Sequence, residues 1–369
     1  MTLDLRAWRG HAGFAAQEAV WEECRAAAAL DPLCNGHRWT LAHARAFAPD
    51  GDVFGWTAFD GTGRAAGVLA LKREPARGTL ALRRALFLAD GSFDSDYLAP
   101  PVVPGREREL ARALIDAARG EPGLEALVLG CLPEDSRFLG ELRAELGQRG
   151  LARREHAVPC LATALPDSLE RYLATLKSRM RTKVRSALRG AGGAVLRWTT
   201  REDELAHDMD ELYRLHELRW RAAGKEGSFA DPRRRAFYLE LARASLPAHA
   251  LRLALLEREG RVLAAQFGLL AGGRYYQIQE GYDPALEEER PGIALRARAV
   301  EALIAEGVRA YDFMAGDSRH KRDWGGELRA CTTLAFPLPR WRARLAYAAR
   351  SFLDRRRAAA EPAGENASD

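Results

Sequence analysis

Lysine is nearly missing from this chain. Of 56 basic residues only five are lysine, at positions 72, 177, 183, 225 and 321, so 51 are arginine. GC-rich coding accounts for the bulk excess and makes each lysine near a possible site more informative. Long apolar runs are missing too: no stretch of ~18 residues suits a membrane-spanning helix. The opening Met1-Thr2-Leu3-Asp4-Leu5-Arg6 carries an early acid and no apolar h-region, so no secretory signal is expected there. The five cysteines (24, 34, 131, 160, 331) form no Cys-x-x-Cys pair. Their scatter and odd number argue against a zinc site and a disulfide framework, so no metal and a reducing cytoplasm are expected. Also missing are a Gly-x-Ser-x-Gly elbow, a Walker loop and His-Glu-x-x-His. His216 and His320 lack companions at metal-ligand spacing and read as structural or surface residues.

What remains is ordinary globular material. The chain has 369 residues, 47% of them hydrophobic and 29% charged, enough for two domains. A net charge of +5 permits an anionic ligand without demanding one. Residues 11–50 read as helix with breaks. A strand–turn–strand hairpin follows at 53–71, then a helix at 107–119 and a strand at 126–130. The same order returns as a hairpin at 251–270, a strand at 274–281, a helix at 292–306 and a strand at 309–316. Either a tandem duplication or coincidence of common units produces this pattern. The expected domains are 1–160 and 161–340, followed by a basic amphipathic helix at 341–357 and a disordered tail at 358–369.

Four segments are candidates for chemistry. One helix is expected from Asp167 or Ser168 to about Arg189. On it Lys177, Arg181, Arg185 and Arg189 fall at i, i+4 spacing with no acid among them. That stripe is either an anion-binding face or a solvated one. Arg290-Pro291-Gly292-Ile293-Ala294-Leu295 opens a helix with uncovered N–H groups that suit an anion such as a pyrophosphate, though Pro-Gly also simply begins helices. Strand alternation over 275–283 puts Tyr276, Ile278 and Glu280 on one face, with Gln277 and Gln279 on the other. If buried, Glu280 would have a raised pKa and suit a general base; otherwise this is a wet edge strand. Last, Asp312-Phe313-Met314-Ala315-Gly316-Asp317-Ser318-Arg319-His320-Lys321 delivers charge to a loop at a strand's carboxyl end, as ligand sites often require and surface loops also do.

Arg219-Trp220, Ser228-Phe229-Ala230-Asp231-Pro232, Gly260-Arg261, Tyr282-Asp283-Pro284, Pro291-Gly292 and Asp312-Phe313…Gly316-Asp317…Lys321…Trp324 occur in this order. In this the chain resembles the GNAT-type acetyltransferase domain of the CelD/BcsL group, associated with bacterial cellulose and exopolysaccharide production. That group is similar to the FemAB aminoacyltransferases, which carry two GNAT-like units in tandem. The match spans about 165–335. It implies an α/β fold of two tandem GNAT-like domains, each a mixed, mostly antiparallel sheet flanked by helices. The implied activity is acyl transfer, with acetyl-CoA or another acyl-CoA as co-substrate, to an amine or hydroxyl of a small-molecule or glycan acceptor. By resemblance, pantetheine inserts between splayed strands at 275–282 and 309–315, and the pyrophosphate sits on Arg290, Gly292, Ile293, Ala294 and Leu295. The usual Arg/Gln-x-x-Gly-x-Gly/Ala loop is compressed here. Glu280 or Asp317 would take the nucleophile's proton and Lys321 would hold an oxyanion or anionic substrate. Arg219, Trp220, Tyr276, Gln279 and Tyr282 would frame the acceptor, while Lys177, Arg181 and Arg185 would hold anionic groups. Two other classes stand beside this one: transfer from aminoacyl-tRNA to a peptide or cell-wall precursor, and a non-catalytic scaffold docked on a membrane synthase through 341–357.

Overall fold

Apolar alternation turns the first half into strands almost where expected, and the rest of the chain completes one sheet around them. The structure is a computed structural model describing residues 3–75, 81–92, 94–343 and 345–346. The first half contains β1 (Asp4–Arg9), α1 (Gly10–Ala15), α2 (Glu18–Ala27), α3 (His37–Phe47), the hairpin β2 (Val53–Phe59) and β3 (Ala65–Glu74), β4 (Arg84–Phe87), α4 (Glu107–Gly120), β5 (Ala126–Pro133), α5 (Arg137–Gln148) and β6 (Arg154–Ala164). The second contains α6 (Leu169–Thr175), α7 (Ser178–Gly190), β7 (Val195–Trp198), α8 (Glu202–Ala222), α9 (Pro232–Ser245), the hairpin β8 (Leu251–Arg258) and β9 (Arg261–Ala271), β10 (Arg274–Tyr282), α10 (Pro291–Ala305), β11 (Ala310–Ala315), α11 (Arg319–Asp323) and β12 (Glu327–Pro337).

Twelve strands form a single mixed sheet in the order β1-β2-β3-β4-β5-β12-β6-β11-β10-β9-β8-β7. Two neighbouring pairs are parallel, β4 with β5 and β10 with β11. Each is preceded by a hairpin and bridged by a helix, α4 in one half and α10 in the other, so the repeat read from sequence is present in space. The last strands are exchanged. β6 leaves the first half to pair with β11, and β12 leaves the second to pair with β5; the two exchanged strands pair with each other over nine registered positions from Glu327 to Ala335. The boundary expected at 160–161 falls inside β6, and the sheet runs through it.

Local chemistry explains the flanking helices. Leu110, Leu114, Ile115 and Ala118 give α4 a buried stripe. Asp231 caps α9 by accepting from Arg233 N–H, with Pro232 in the first turn. The single helix expected from 168 to 189 is instead two. Ser168 caps α6, and Lys177 adopts an extended conformation as the N-cap of α7. Lys177 therefore stands outside the helical stripe. α8 packs on β10 and β9 while α10 packs on β9 and β8. No helix among the described residues is long and apolar enough to cross a membrane. Of the expected basic helix at 341–357, only 341–343 and 345–346 are described, all helical. The tail expected at 358–369 lies outside the described residues.

Candidate active site

β10 and β11 pair over three residues only, Arg274 to Tyr276 against Ala310 to Asp312. Beyond that the two strands separate, leaving Gln277–Tyr282 on one arm and Phe313–Ala315 on the other. The junction is anchored from the other half of the chain. Asp312 is fully buried and accepts from Tyr97 Oη (3.0 Å), Arg274 Nη1 (2.9 Å) and Arg329 Nη1 (3.0 Å). Two guanidinium partners satisfy a carboxylate that burial alone would penalise.

The free arm of β10 does not alternate as expected. A bulge shifts its register against β9 between Gln277 and Gln279. One extra residue moves everything after it to the opposite face. Glu280 thus joins Gln277 on the α10 side, where Arg296 Nη2 donates to Gln277 Oε1 at 3.1 Å and to Glu280 Oε2. Tyr276 and Gln279 turn the other way, Tyr276 Oη donating to Asp31 (2.9 Å) and Gln279 to Tyr238 Oη (3.2 Å). The expected face of Tyr276, Ile278 and Glu280 is corrected accordingly. Tyr282 faces α10: a β-carbon on Gly292 would lie 3.1 Å from its ring.

Arg296 is the hub of the mouth. It is 2% exposed, on a mostly apolar helix, beneath Trp324 and Phe313. Besides Glu280, its Nη1 donates to His320 Nε2. Burial works against ionising Glu280, but the charges of Arg296, of His320 once protonated in acid, and of Arg219, with the Arg296 hydrogen bond, outweigh it and hold the carboxyl down at about 2. This reverses the upward shift expected of a general base, because the charge that decides the balance comes from α10. His320 is pushed down to about 4 by burial and by Arg296, so it is a neutral imidazole near pH 7. Arg219 lies over Trp220, its Nε buried without a partner among the described residues. Trp220 Nε1 donates to His216 Nε2 at 2.9 Å behind the arm. Arg296 and His320 are the residues that motif reading misses. An arginine between Leu295 and Ala297, within the apolar start of α10, was the available signal.

Other expected residues sit as follows. Lys321 donates to the carbonyls of Met314 (3.2 Å) and Ala315 (2.5 Å), tying down the end of β11; burial lowers its pKa. Asp317 is exposed and paired with Arg322 through both carboxylate oxygens. At the start of α10, Ile293 and Ala294 N–H both bond Arg290 O, so of the several N–H groups expected to stand free only that of Gly292 remains without an acceptor among the described residues. Arg290 itself is in the left-handed region, φ 55°, and the side of Leu295 is buried. Arg181 caps carbonyls of Ala174 and Leu176, and Arg185 reaches Glu170 at 3.9 Å. Of the expected anion-binding set, Lys177 lines a cavity of about 450 Å³ together with Arg179, Lys183, Arg319 and Arg322 and the acids Asp317 and Asp323.

Residues 177–322 match the family model of an acetyltransferase (GNAT) domain. No curated protein matches the chain. Among solved structures, FemX aligns with a TM-score of 0.54 at 13% identity, over 79% of this chain and 90% of that one. A conserved protein of unknown function from Bacteroides thetaiotaomicron aligns with a TM-score of 0.57 at 15% identity, over 86% and 97%. A tandem GNAT protein from the clavulanic acid biosynthesis pathway aligns with a TM-score of 0.50 at 16% identity, over 91% and 99%. These likenesses establish the fold: a mixed α/β protein of tandem GNAT-like units.

Proposed function

We propose that the chain is an acyltransferase that seats the thioester of an acyl-CoA, acetyl-CoA first among them, between the separated arms of β10 and β11. The observation that carries this reading is the separation itself, three paired residues followed by an open mouth holding Arg296, Glu280 and His320. An amine or hydroxyl of the acceptor attacks the carbonyl carbon. The carbon–sulfur bond breaks, the thiolate leaves, and the acceptor's proton passes through water to that thiolate. Arg219, with its unpartnered Nε, faces the developing oxyanion. Glu280 stays ionised and positions Arg296 and His320. Lys321 holds the end of β11, and Asp317 with Arg322 borders the acceptor side. Gly292 N–H and the helix start it belongs to meet a phosphate of the cofactor.

By resemblance to the CelD/BcsL group, the acceptor is a sugar of surface-polysaccharide metabolism. The basic cavity around Lys177, Arg179, Lys183 and Arg319 adds a preference for an acceptor bearing negative charge. That cavity also favours one second reading, an aminoacyl-tRNA donor as in the FemAB group, whose binding would fall steeply with salt. Calorimetric titration separates the two. Acetyl-CoA is expected to bind at micromolar Kd, and Gly292→Glu to abolish binding while the far-ultraviolet circular dichroism stays unchanged. No binding of acetyl-CoA or CoA by the intact protein would overturn the CoA reading and leave the tRNA donor to be titrated.

A further inference from the structure

Chain spacing excludes a metal motif, yet strand pairing assembles one candidate. Cys131, Cys160 and Cys331 lie on β5, β6 and β12, the three strands where the two halves exchange partners. They are 6%, 0% and 1% exposed. Cys160 Sγ is 3.9 Å from Cys131 Sγ and 3.9 Å from Cys331 Sγ, and all three sulfurs lie within 4.8 Å of one another. Zinc–sulfur bonds of ~2.3 Å at tetrahedral angles set sulfurs ~3.8 Å apart. A single disulfide joins two sulfurs at ~2.05 Å and leaves the third aside. The observed spacing matches the triangle around an ion.

One acid borders the cluster on the Cys131 side. Asp96, itself 8% exposed, places Oδ1 3.4 Å from Cys131 Sγ. An oxygen at ~2.1 Å and a sulfur at ~2.3 Å from one tetrahedral zinc stand ~3.6 Å apart. The surroundings orient these groups as outer partners orient ligands in metal sites. Ala315 N–H donates to Asp96 Oδ2 at 2.7 Å, and Tyr97 N–H donates to Cys131 Sγ at 3.4 Å. Three non-glycine residues with positive φ converge here: Tyr97 (58°), Cys131 (48°) and Met314 (61°). Such backbone persists only where the surroundings enforce it. Here it aims Cys131 Sγ inward from a position where β5 and β12 lose register.

We propose that Cys131, Cys160 and Cys331 bind one Zn²⁺ as thiolates, with Asp96 turning from its contact with Cys131 towards the ion to complete a closed tetrahedron. Binding replaces three S–H bonds by three zinc–sulfur bonds, and the protons pass to buffer. Four protein ligands leave no open position, so the ion is structural. It clamps β5, β12 and β6, the strands that hold the two halves together.

The test uses the full chain, stripped of metal by a chelator under reducing conditions and titrated with Co²⁺. The expected result is one Co²⁺ per chain, with thiolate-to-cobalt charge transfer and the intense visible bands of a tetrahedral site, displaced by one equivalent of Zn²⁺. Zn²⁺ should also raise the thermal midpoint. Cys160→Ser should weaken binding at least ~100-fold, and Cys24→Ser should leave it unchanged. If Cys160→Ser fails to fold, Asp96→Asn serves instead: it should retain the sulfur charge transfer and alter the visible bands. Absence of cobalt bands in the reduced intact protein would overturn the proposal. So would binding that is indifferent to both Cys160→Ser and Asp96→Asn, or an intact mass two hydrogens short with no metal uptake after reduction.

Discussion

At the scale of single residues, the cleft depends on one buried cation and what surrounds it. Arg296 donates to Glu280, Gln277 and His320 and is almost wholly enclosed. An unpaired guanidinium there would be strongly destabilising. Glu280 is its only charged hydrogen-bond partner among the described residues, and the pair acts on Glu280 in return, taking its pKa from 4.5 to about 2. The sign of the pH dependence follows. A carboxyl with a depressed folded pKa binds fewer protons in the folded state, so its stabilisation is complete above about 4.5 and is lost as pH falls towards 2. The shift corresponds to roughly 3 kcal/mol at neutral pH. Glu280→Gln should therefore lower the unfolding free energy by about that amount at pH 7, in urea titrations, and the gap to the parent should shrink markedly by pH 3. A gap of equal size at both pH values would show that Glu280 does not carry this charge interaction. The fully buried Asp312 shows the same economy on the other strand, where two arginines and a tyrosine from both halves converge on one carboxylate.

At the scale of elements, the mouth is shaped by how closely α8 lies on β10. Gly281 marks the contact. A β-carbon there would stand 2.2 Å from His216 N and 2.5 Å from Leu215 C, both backbone atoms of α8. No rotamer change relieves a clash with backbone, so α8 must move and carry Arg219 and Trp220 with it. Gly281→Ala should cost about 3 kcal/mol of stability, at the upper end for overpacking. It should also weaken acceptor binding more than acyl-CoA binding, seen as a larger rise in the acceptor KM. The two hairpins, α4 and α10 were legible in the sequence because each keeps one period over its length. The hidden parts are non-local or non-periodic. The bulge in β10 breaks alternation by one residue and so reverses the assignment of Glu280. Pro159 lies within β6: its carbonyl accepts from Gly316 N–H, so its nitrogen faces β11 near that strand's own register shift, where no donor is needed. The break at Lys177 divides a helix that periodicity joins. The three cysteines meet only because strands 29 and 171 residues apart in sequence become neighbours.

At the scale of the whole molecule, the exchange of β6 and β12 decides whether the halves can exist apart. Cut after residue 164, the first half would keep β6 but lose β12, which in the intact sheet lies between β5 and β6. The second half would keep β12 with neither of the strands it pairs with, and β11 would lose β6. Each fragment would then expose unpaired strand edges in what is the middle of the intact sheet, together with apolar residues such as Leu129, Leu161, Leu334 and Phe336 that are buried at the seam. Such edges recruit other chains. Independent domains would unfold in two steps; shared strands should make the unfolding one. The full chain is therefore expected to give coincident urea transitions by tryptophan fluorescence and far-ultraviolet circular dichroism. Residues 1–164 and 165–369 expressed singly should aggregate, while their co-expression should restore a soluble complex, since the break falls between β6 and α6, outside both elements. A soluble, cooperatively folding 165–369 fragment with acyl-CoA affinity equal to the full chain would mean that the seam is dispensable. It would also mean that the anchoring of Asp312 by Tyr97, from the first half, plays no part in holding the mouth open.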